Sequence, residues 1–177
     1  MLTKTYCAAV NGLEVTTITI EVSMNPGVMY HLTGLGDKAV MEGRDRIAAA
    51  MQYRGYKFPK ADITVNMAPA DLKKEGSGFD LPLAIALLAA HGNIESDKLA
   101  NYMLVGELGL DGKLQPIKGA LPIAIKERTE KFKGLIVPKD NVKEAAVVNN
   151  LDVYGMENML DVVKFLTGME DYSPTVI

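Results

Sequence analysis

The chain of 177 residues contains a single cysteine, Cys7, and only two histidines, His31 and His91. One cysteine excludes an internal disulfide and any zinc site built from several cysteines. The two histidines are far apart, and neither has a second His or Cys at ligand spacing, so we interpret both as structural or surface residues. Cys7 lies within a strand pattern and is interpreted as a small core side chain.

Neither a charge excess nor a long apolar run marks this sequence. The formal net charge is −3, which gives no sign of an overall basic nucleic-acid binder. The longest apolar run, residues 81–90, is about half as long as a membrane span. The first residues lack the apolar core of a signal peptide. We therefore predict a cytoplasmic protein without a membrane partner, whose hydrophobic content of 48% suits a globular core.

The small net charge conceals a segregation of charge along the chain. Residues 37–74 hold eight Lys/Arg and five Asp/Glu, a local charge of +3. Residues 139–177 hold three Lys and seven Asp/Glu, a local charge of −4. The basic segment, with Arg44 and Arg46, is compatible with DNA contact. A solvated helix face explains the two arginines about as well, and both interpretations stay open.

The periodicity of apolar residues predicts a mixed α/β fold. Strands at residues 5–10 and 15–22 are joined by the turn signal Asn11-Gly12, and a third strand at 28–32 suggests an N-terminal β-meander. Helical spacing and turn signals then divide the remainder of the chain. The predicted helices cover residues 37–54, 80–91, 121–131, 141–148 and 158–166, and the predicted strands cover 63–67, 102–107, 135–137 and 152–154. This alternation indicates βαβ units with some parallel pairing.

A charged, glycine-rich loop precedes the most apolar predicted helix. Lys73, Lys74, Ser77 and Gly78 lie in this loop, which could present two lysines and free N–H groups to an anion. Ser77 could instead cap the helix, with Asp80 three residues further on. A third possibility is a serine nucleophile activated by a lysine. All three interpretations stay open at this point.

Four collinear blocks of this sequence resemble the N-terminal domain of the ComM/YifB family of Mg-chelatase-like AAA+ ATPases. They are residues 34–51, 65–90, 106–123 and 136–148, and the resemblance runs in the same order along essentially the whole chain. That domain is similar in turn to the proteolytic domain of Lon and the C-terminal domain of RadA. The resemblance implies the fold named for domain two of ribosomal protein S-five, over residues 1–168.

The resemblance also implies that catalysis by a Ser-Lys dyad is absent. Aligned with Lon-type proteases, the serine's place falls on Gly78 and the lysine's place on Leu121. Ser77 is one residue away from the first place, and Lys118 lies about one helical turn before the second. Neither position carries the required chemistry, so we expect a protease-like fold without peptidase activity.

The resemblance implies that this chain belongs to a longer DNA-remodelling motor. Residues 169–177 would begin a linker to an AAA+ module, which would bind ATP and Mg²⁺ and assemble as a homo-oligomeric ring, expected to be a hexamer. This chain contains no G-x-x-x-x-G-K-[ST] motif, so we expect no nucleotide hydrolysis and no cofactor in it. Full-length relatives are expected to migrate DNA branches during natural transformation and recombination. The residues we single out for nucleic-acid or anion contact are Arg44, Arg46, Lys73, Lys74, Ser77, Gly78 and Lys118.

Two alternatives from other functional classes are kept. One is a residual hydrolase that uses Ser77 and Lys118. The other is a part of a magnesium-chelatase-like machine that inserts metal into a porphyrin, although no residue pattern here indicates a tetrapyrrole pocket.

Overall fold

A computed structural model of the chain describes residues 2–35, 37–70, 78–130 and 132–177. Its strands are β1 (Leu2–Asn11), β2 (Glu14–Asn25), β3 (Tyr30–Thr33), β4 (Asp62–Ala68), β5 (Tyr102–Leu104), β6 (Glu107–Leu108), β7 (Leu114–Gln115), β8 (Gly134–Pro138) and β9 (Asp152–Met156). Its α-helices are α1 (Asp37–Tyr53), α2 (Asp80–His91), α3 (Ala120–Glu127), α4 (Val142–Ala146) and α5 (Met159–Thr167). Seven strands form one mixed sheet in the order β3-β4-β2-β1-β5-β8-β9, and β6 pairs with β7 separately. The predicted mixed α/β class is confirmed.

The predicted hairpin at the start of the chain is confirmed. β1 and β2 are antiparallel and joined at Asn11–Glu14, where Gly12 has a φ of 62°. Every second residue of a strand shares a face, and the buried positions of β2 are all apolar, whereas those of β1 include two threonines. Cys7 and Ile18, which are directly opposite each other, are both fully buried. The interpretation of Cys7 as a core residue is therefore correct.

The predicted three-strand meander is wrong in its third strand. β4 lies between β2 and β3, and it is antiparallel to β2 but parallel to β3. Val65 of β4 consequently faces Val22 of β2 on one side and Leu32 of β3 on the other. The crossover through α1 returns the chain beside β3, as a βαβ unit does. β4 suits this position between two strands because its side chains Ile63, Val65 and Met67 are apolar, and all three are completely or almost completely buried.

The second half follows the predicted alternation of strands and helices, with two differences. β5, β8 and β9 pair in parallel. The predicted strand at 102–107 is divided, because Val105 donates to the Ile136 carbonyl while Gly106 turns towards Gly78. The predicted helix at 121–131 ends as α3 at Glu127.

Helix α2 forms the centre of the core. All of its residues from Asp80 to Leu88 are buried, and it packs against β1 and β2. The Thr5 hydroxyl of β1 donates to the Pro82 carbonyl at 2.8 Å, which satisfies an oxygen in a buried turn. Gly92 ends the helix with a φ of 84°, as predicted from its glycine.

The tail after α5 packs against the domain. The Tyr172 ring makes an edge contact with Phe165 of α5, with ring centroids 6.0 Å apart. The Thr175 N–H donates to the Val153 carbonyl of β9 at 2.8 Å. Within residues 169–177, which we predict to begin a linker, Tyr172 therefore packs on α5 and Thr175 bonds to the outer edge of β9. In the described parts of the chain, no helix combines the length and apolarity needed to cross a membrane.

Candidate functional site

A cleft of about 790 Å³ opens where β1 ends and α3 begins. Its volume is within the range of about 300–1,000 Å³ that is common for ligand sites. Three parts of the chain enclose it: the end of β1, the start of α2 with the neighbouring β5–β6 connection, and the segment that leads into α3. The lining residues are Ala8, Ala9, Val10, Gly12, Gly78, Phe79, Val105, Glu107, Pro116, Ile117, Lys118, Gly119, Pro122 and Ile123.

Backbone hydrogen bonds fix one wall of this cleft. Gly106 donates to the Gly78 carbonyl at 3.3 Å, and Leu81 donates to the Gly106 carbonyl at 3.1 Å. These contacts hold the residues before α2 against the chain that leaves β5. Gly78 therefore has a defined place at the cleft, and a Cβ atom added there would meet no atom of the described residues within 4 Å.

The opposite wall contains the turn into α3. Gly119 has a φ of 85°, and a Cβ added there would lie 3.1 Å from Val10 Cγ2. Lys118, next to it, is exposed and lines the cleft. Leu121, at the place of the dyad lysine, is 36% exposed on α3 and is not part of the lining. The cleft thus brings Gly78 and Lys118 to one site, whereas Leu121, the position aligned with the dyad lysine, lies outside its lining.

The described lining lacks the groups of a nucleophilic site. None of these lining residues is Ser, Thr, Cys or His, and Lys118 and Glu107 are the charged side chains among them. Lys73, Lys74 and Ser77 lie outside the residues that the structure describes. Among those it does describe, no group of three or more His, Cys, Asp or Glu side chains is arranged to hold a metal ion.

Arg46, singled out as a candidate phosphate contact, is used within the fold. Its Nε and Nη2 donate to the two carboxylate oxygens of Asp80 at 2.9 and 3.0 Å. The Asp80 side chain is 4% exposed and also accepts from the Leu108 N–H at 3.1 Å. The hydrogen bond to Asp80 raises the pKa of Arg46. Burial raises the pKa of Asp80, while the hydrogen bonds from Arg46 and Leu108 oppose that rise.

The role of Asp80 is not evident from the sequence. The sequence pattern predicts Asp80 as part of a helix cap, but Phe79 is the N-cap residue of α2 and makes no side-chain capping bond. The signal that could have revealed its role is an acidic residue at the start of a helix that is otherwise wholly apolar. Such a buried carboxylate requires a cationic or hydrogen-bonding partner.

Arg44 is also engaged by its neighbours. Its guanidinium carbon lies 5.8 Å from the Tyr30 ring centroid and 5.5 Å from that of Phe58, within the range of cation–π contacts. Burial raises the pKa of the Tyr30 hydroxyl to about 12. Arg44 and Arg46 therefore both direct their guanidinium groups towards partners in the same chain.

Several known proteins are similar in sequence to this chain. The sequence model of the family described as subunit ChlI of Mg-chelatase matches residues 20–141. Competence protein ComM of Haemophilus influenzae is 40% identical over 166 residues, covering 93% of this chain and 32% of that protein. The YifB protein of Escherichia coli is 39% identical over 168 residues, covering 94% of this chain and 33% of that protein. The chain thus spans about a third of the length of these curated relatives.

A further similarity concerns the fold. Lon protease 1 of Bacillus subtilis is 31% identical over 160 residues, covering 80% of this chain and 20% of the protease. This confirms the Lon-like fold that the sequence resemblance implied. Since the family model spans more than half of the residues and ComM and YifB match nearly all of them, the chain belongs to the Mg-chelatase-like ChlI family that includes the ComM/YifB proteins.

Proposed function

We propose that this chain is the non-catalytic assembly domain of a longer cytoplasmic AAA+ ATPase of the ComM/YifB type, which remodels branched DNA. The observation that carries the proposal is the match of more than nine-tenths of this chain to about a third of ComM and YifB. ATP and Mg²⁺ would be bound by the remainder of the longer protein. The non-catalytic role rests on the alignment with Lon, which places Gly78 and Leu121 at the positions of the dyad serine and lysine.

DNA contact by this domain would depend on its exposed lysines. Arg44 and Arg46 have partners within the fold, and Arg54 donates to the Asp111 carbonyl at 2.9 Å. Lys57 and Lys60, which follow α1, are exposed. Lys38 is also exposed but pairs with Glu42 at 3.9 Å. Lys57 and Lys60 are therefore the described cations of the basic segment that we expect to meet phosphate groups.

A salt titration tests the DNA contact. Labelled single strands and duplexes are titrated with the 177-residue chain at several salt concentrations, because phosphate contacts make affinity fall steeply as salt rises. We expect the paired substitution Lys57→Glu and Lys60→Glu to weaken binding at least tenfold. The matched control is Lys143→Glu, which changes an exposed lysine on α4. Absence of binding at low salt would leave the assembly role alone.

The assembly role is tested on the longer protein. Sedimentation velocity with ATP and Mg²⁺ is expected to show a hexamer whose formation is impaired by substitutions on the surface of this domain. Exposed apolar residues provide such substitutions, for example Leu121→Glu together with Ile125→Glu on α3. If several surface variants of this kind assembled and migrated DNA branches as well as the natural protein, the domain would have no part in assembly.

Two assays separate the proposal from its alternatives. A Ser-Lys hydrolase would degrade an unfolded protein such as casein and lose this activity on Ser77→Ala, whereas we expect no degradation. A porphyrin-metal machine would bind a porphyrin tightly, whereas we expect no change in the porphyrin absorption spectrum. Activity in either assay would contradict the non-catalytic assignment.

A further inference from the structure

The C-terminal end of α1 is closed by a fixed backbone turn. The Gly55 N–H donates to the Gln52 carbonyl at 3.1 Å, and the Tyr56 N–H donates to the Met51 carbonyl at 2.8 Å. Gly55 has a φ of 90°, so the two bonds form the paired pattern that glycine permits at a helix end. These bonds satisfy carbonyls of the last turn and set the direction in which the chain leaves α1.

A surface cavity of about 410 Å³ lies beside this turn. Its volume is within the range of about 300–1,000 Å³ that is common for ligand sites. Tyr56 and Phe58 are half-buried and pack on the core, which holds their rings in place. The lining residues are Ala48, Gln52, Gly55, Tyr56, Lys57 and Phe58. The lining therefore combines two aromatic rings with an amide and a lysine.

The described range 37–70 contains the whole of this lining. β4 follows the cavity residues in the chain, and its seven residues extend about 20 Å from Asp62 to Ala68 before the range ends. The cavity shares no lining residue with the cleft at Gly78. It is therefore a second surface, built within one described segment.

The end of α1 and the residues after it are rich in cations. From residue 47 to residue 61 the sequence contains Arg54, Lys57 and Lys60 and no Asp or Glu. Among the described residues, no carboxylate forms an ion pair with any of these three side chains. This surface is therefore locally positive, although the chain as a whole has a net charge of −3.

A largely exposed aromatic ring lies at the same helix end. Tyr53, the last residue of α1, is 68% exposed. The Arg54 guanidinium carbon lies 5.4 Å from its ring centroid, a cation–π distance. Arg54 also donates to the Asp111 carbonyl at 2.9 Å, an acceptor without net charge, so the arginine keeps its positive charge. Exposed rings beside unpaired cations are typical of proteins that bind single-stranded nucleic acid, because bases stack on the rings and phosphates meet the cations.

We propose that the end of α1 binds single-stranded DNA, with one base in the cavity against Tyr56 and another base on Tyr53. Phosphates meet Lys57 and Lys60. The inference rests on the proposed DNA contact and adds the form of DNA that is bound. The carbonyl end of a helix is partly negative, which favours an uncharged base there and phosphates at the lysines beyond it. A duplex keeps its bases stacked inside, so it offers this surface its phosphates alone.

Fluorescence anisotropy of labelled DNA measures the preference. The probes are a single strand of about 15 thymidines, a duplex of the same length, and an abasic strand that retains the phosphates. We expect the thymidine strand to bind at least fivefold more tightly than the other two, which is the size of one stacking contact. Phosphate contacts alone would favour the duplex, because its charge density is higher.

Variants of the aromatic site test the same contacts from the protein side. Tyr53→Ala should weaken binding of the thymidine strand at least fivefold, and the loss should be confined to that strand. The melting temperature should change little, because the side chain is exposed and alanine suits a helix. Ala48→Leu should fill the cavity and also weaken the thymidine strand. The matched control is Met41→Ala, an exposed residue of α1 about 18 Å along the helix from Tyr53.

The outcomes separate this inference from the proposed DNA contact. Binding that is lost in the Lys57→Glu, Lys60→Glu variant but is equal for all three probes would retain the DNA contact and refute the stacking site. An unchanged preference for the thymidine strand in Tyr53→Ala and in a folded Ala48→Leu variant would refute it too. No binding of any probe at low salt would overturn both proposals. Tighter binding of a uridine strand than of the thymidine strand would assign the surface to RNA and contradict the choice of DNA.

Discussion

Arg46 of α1 and Asp80 of α2 form a two-point ion pair, with Nε–Oδ2 and Nη2–Oδ1 distances of 2.9 and 3.0 Å. The arginine is 27% exposed, whereas the aspartate is almost completely buried. Asp80 also receives the Leu108 N–H, so one carboxylate connects α1, α2 and the β6–β7 hairpin. The pair therefore fixes the start of α2, from which one wall of the cleft is built.

Removing the arginine from this pair should destabilise the fold. Arg46→Met retains much of the side-chain volume but leaves the buried Asp80 carboxylate without its charged partner. Loss of one partner of a buried pair costs about 3–5 kcal/mol, and partial exposure of Arg46 reduces our expectation to about 2–3 kcal/mol. The free energy of unfolding from urea denaturation measures this. The control is Glu42→Gln, in the exposed Lys38–Glu42 pair of the same helix, with a loss below about 0.5 kcal/mol. Similar losses in the two variants would contradict the assigned importance of the Arg46–Asp80 pair.

Gly34, directly after β3, should tolerate no side chain. It has a φ of 99°, and a Cβ added there would lie 2.6 Å from the Met67 carbonyl oxygen. Gly34→Ala must therefore combine an unfavourable backbone conformation with a backbone clash, and we expect a loss of about 2–3 kcal/mol. Gly43→Ala is the matched control, because its Cβ would make only an ordinary contact with Arg46 at 3.7 Å. Within α1 it should be stabilising by about 0.5–1 kcal/mol. Equal melting temperatures for the two variants would contradict this account.

The parts of the fold that could be predicted from the sequence are those that a few neighbouring residues determine. Asn11-Gly12 defines the hairpin because both residues accept positive φ. The glycines that follow α1 and α2, Gly55 and Gly92, likewise have φ values of 90° and 84°. Such signals are contained within a few residues, so one sequence is sufficient to read them. The insertion of β4 between β2 and β3 depends on contacts between distant strands, and no local pattern specifies them.

The same distinction applies to the candidate site. Arg46 looked like a solvated or phosphate-binding cation because its partner, Asp80, is 34 residues away. The resemblance to Lon aligned the dyad positions with Gly78 and Leu121, of which Gly78 lines the cleft and Leu121 does not. The pairing of β1 with β5 at Tyr6–Met103 could not be predicted, because it joins strands that are about 97 residues apart and is a property of the assembled sheet.

Glu127 should make stability depend on pH near neutrality. Its carboxylate is fully buried at the end of α3, where Oε1 accepts from the Thr17 hydroxyl at 3.1 Å and Oε2 has no described partner. Burial raises the pKa of Glu127 to about 7, and the nearby Glu130 carboxylate adds to this rise. The hydrogen bond from Thr17 and the positive charge of Lys126 oppose it. The folded protein therefore holds this proton more tightly than the unfolded chain. The contribution of this proton to the free energy of unfolding is complete below the ordinary pKa of glutamate, and it is lost as pH rises through about 7.

Glu127→Gln should remove this dependence. Between pH 5 and 8 we expect the natural chain to lose about 2 kcal/mol more unfolding free energy than the variant. Urea denaturation at a series of pH values measures the difference. Glu95→Gln changes an exposed carboxylate that does not contribute to the Glu127 pKa, so this control should retain the natural pH profile. Parallel profiles for the natural chain and Glu127→Gln would show that Glu127 is ionised in the fold throughout this range.

Tyr172 should hold the tail against the domain. Its ring contacts Phe165, and its hydroxyl donates to Glu170 at 3.1 Å. Tyr172→Ala removes both contacts, so the Thr175–Val153 hydrogen bond should open more often. We expect the Thr175 amide to exchange with deuterium at least tenfold faster, a change of about 1.4 kcal/mol in local opening. Ser173→Ala is the control, because this exposed residue should leave the exchange rate unchanged. Unchanged exchange in Tyr172→Ala would mean that the backbone contact with β9 holds the tail without the aromatic ring.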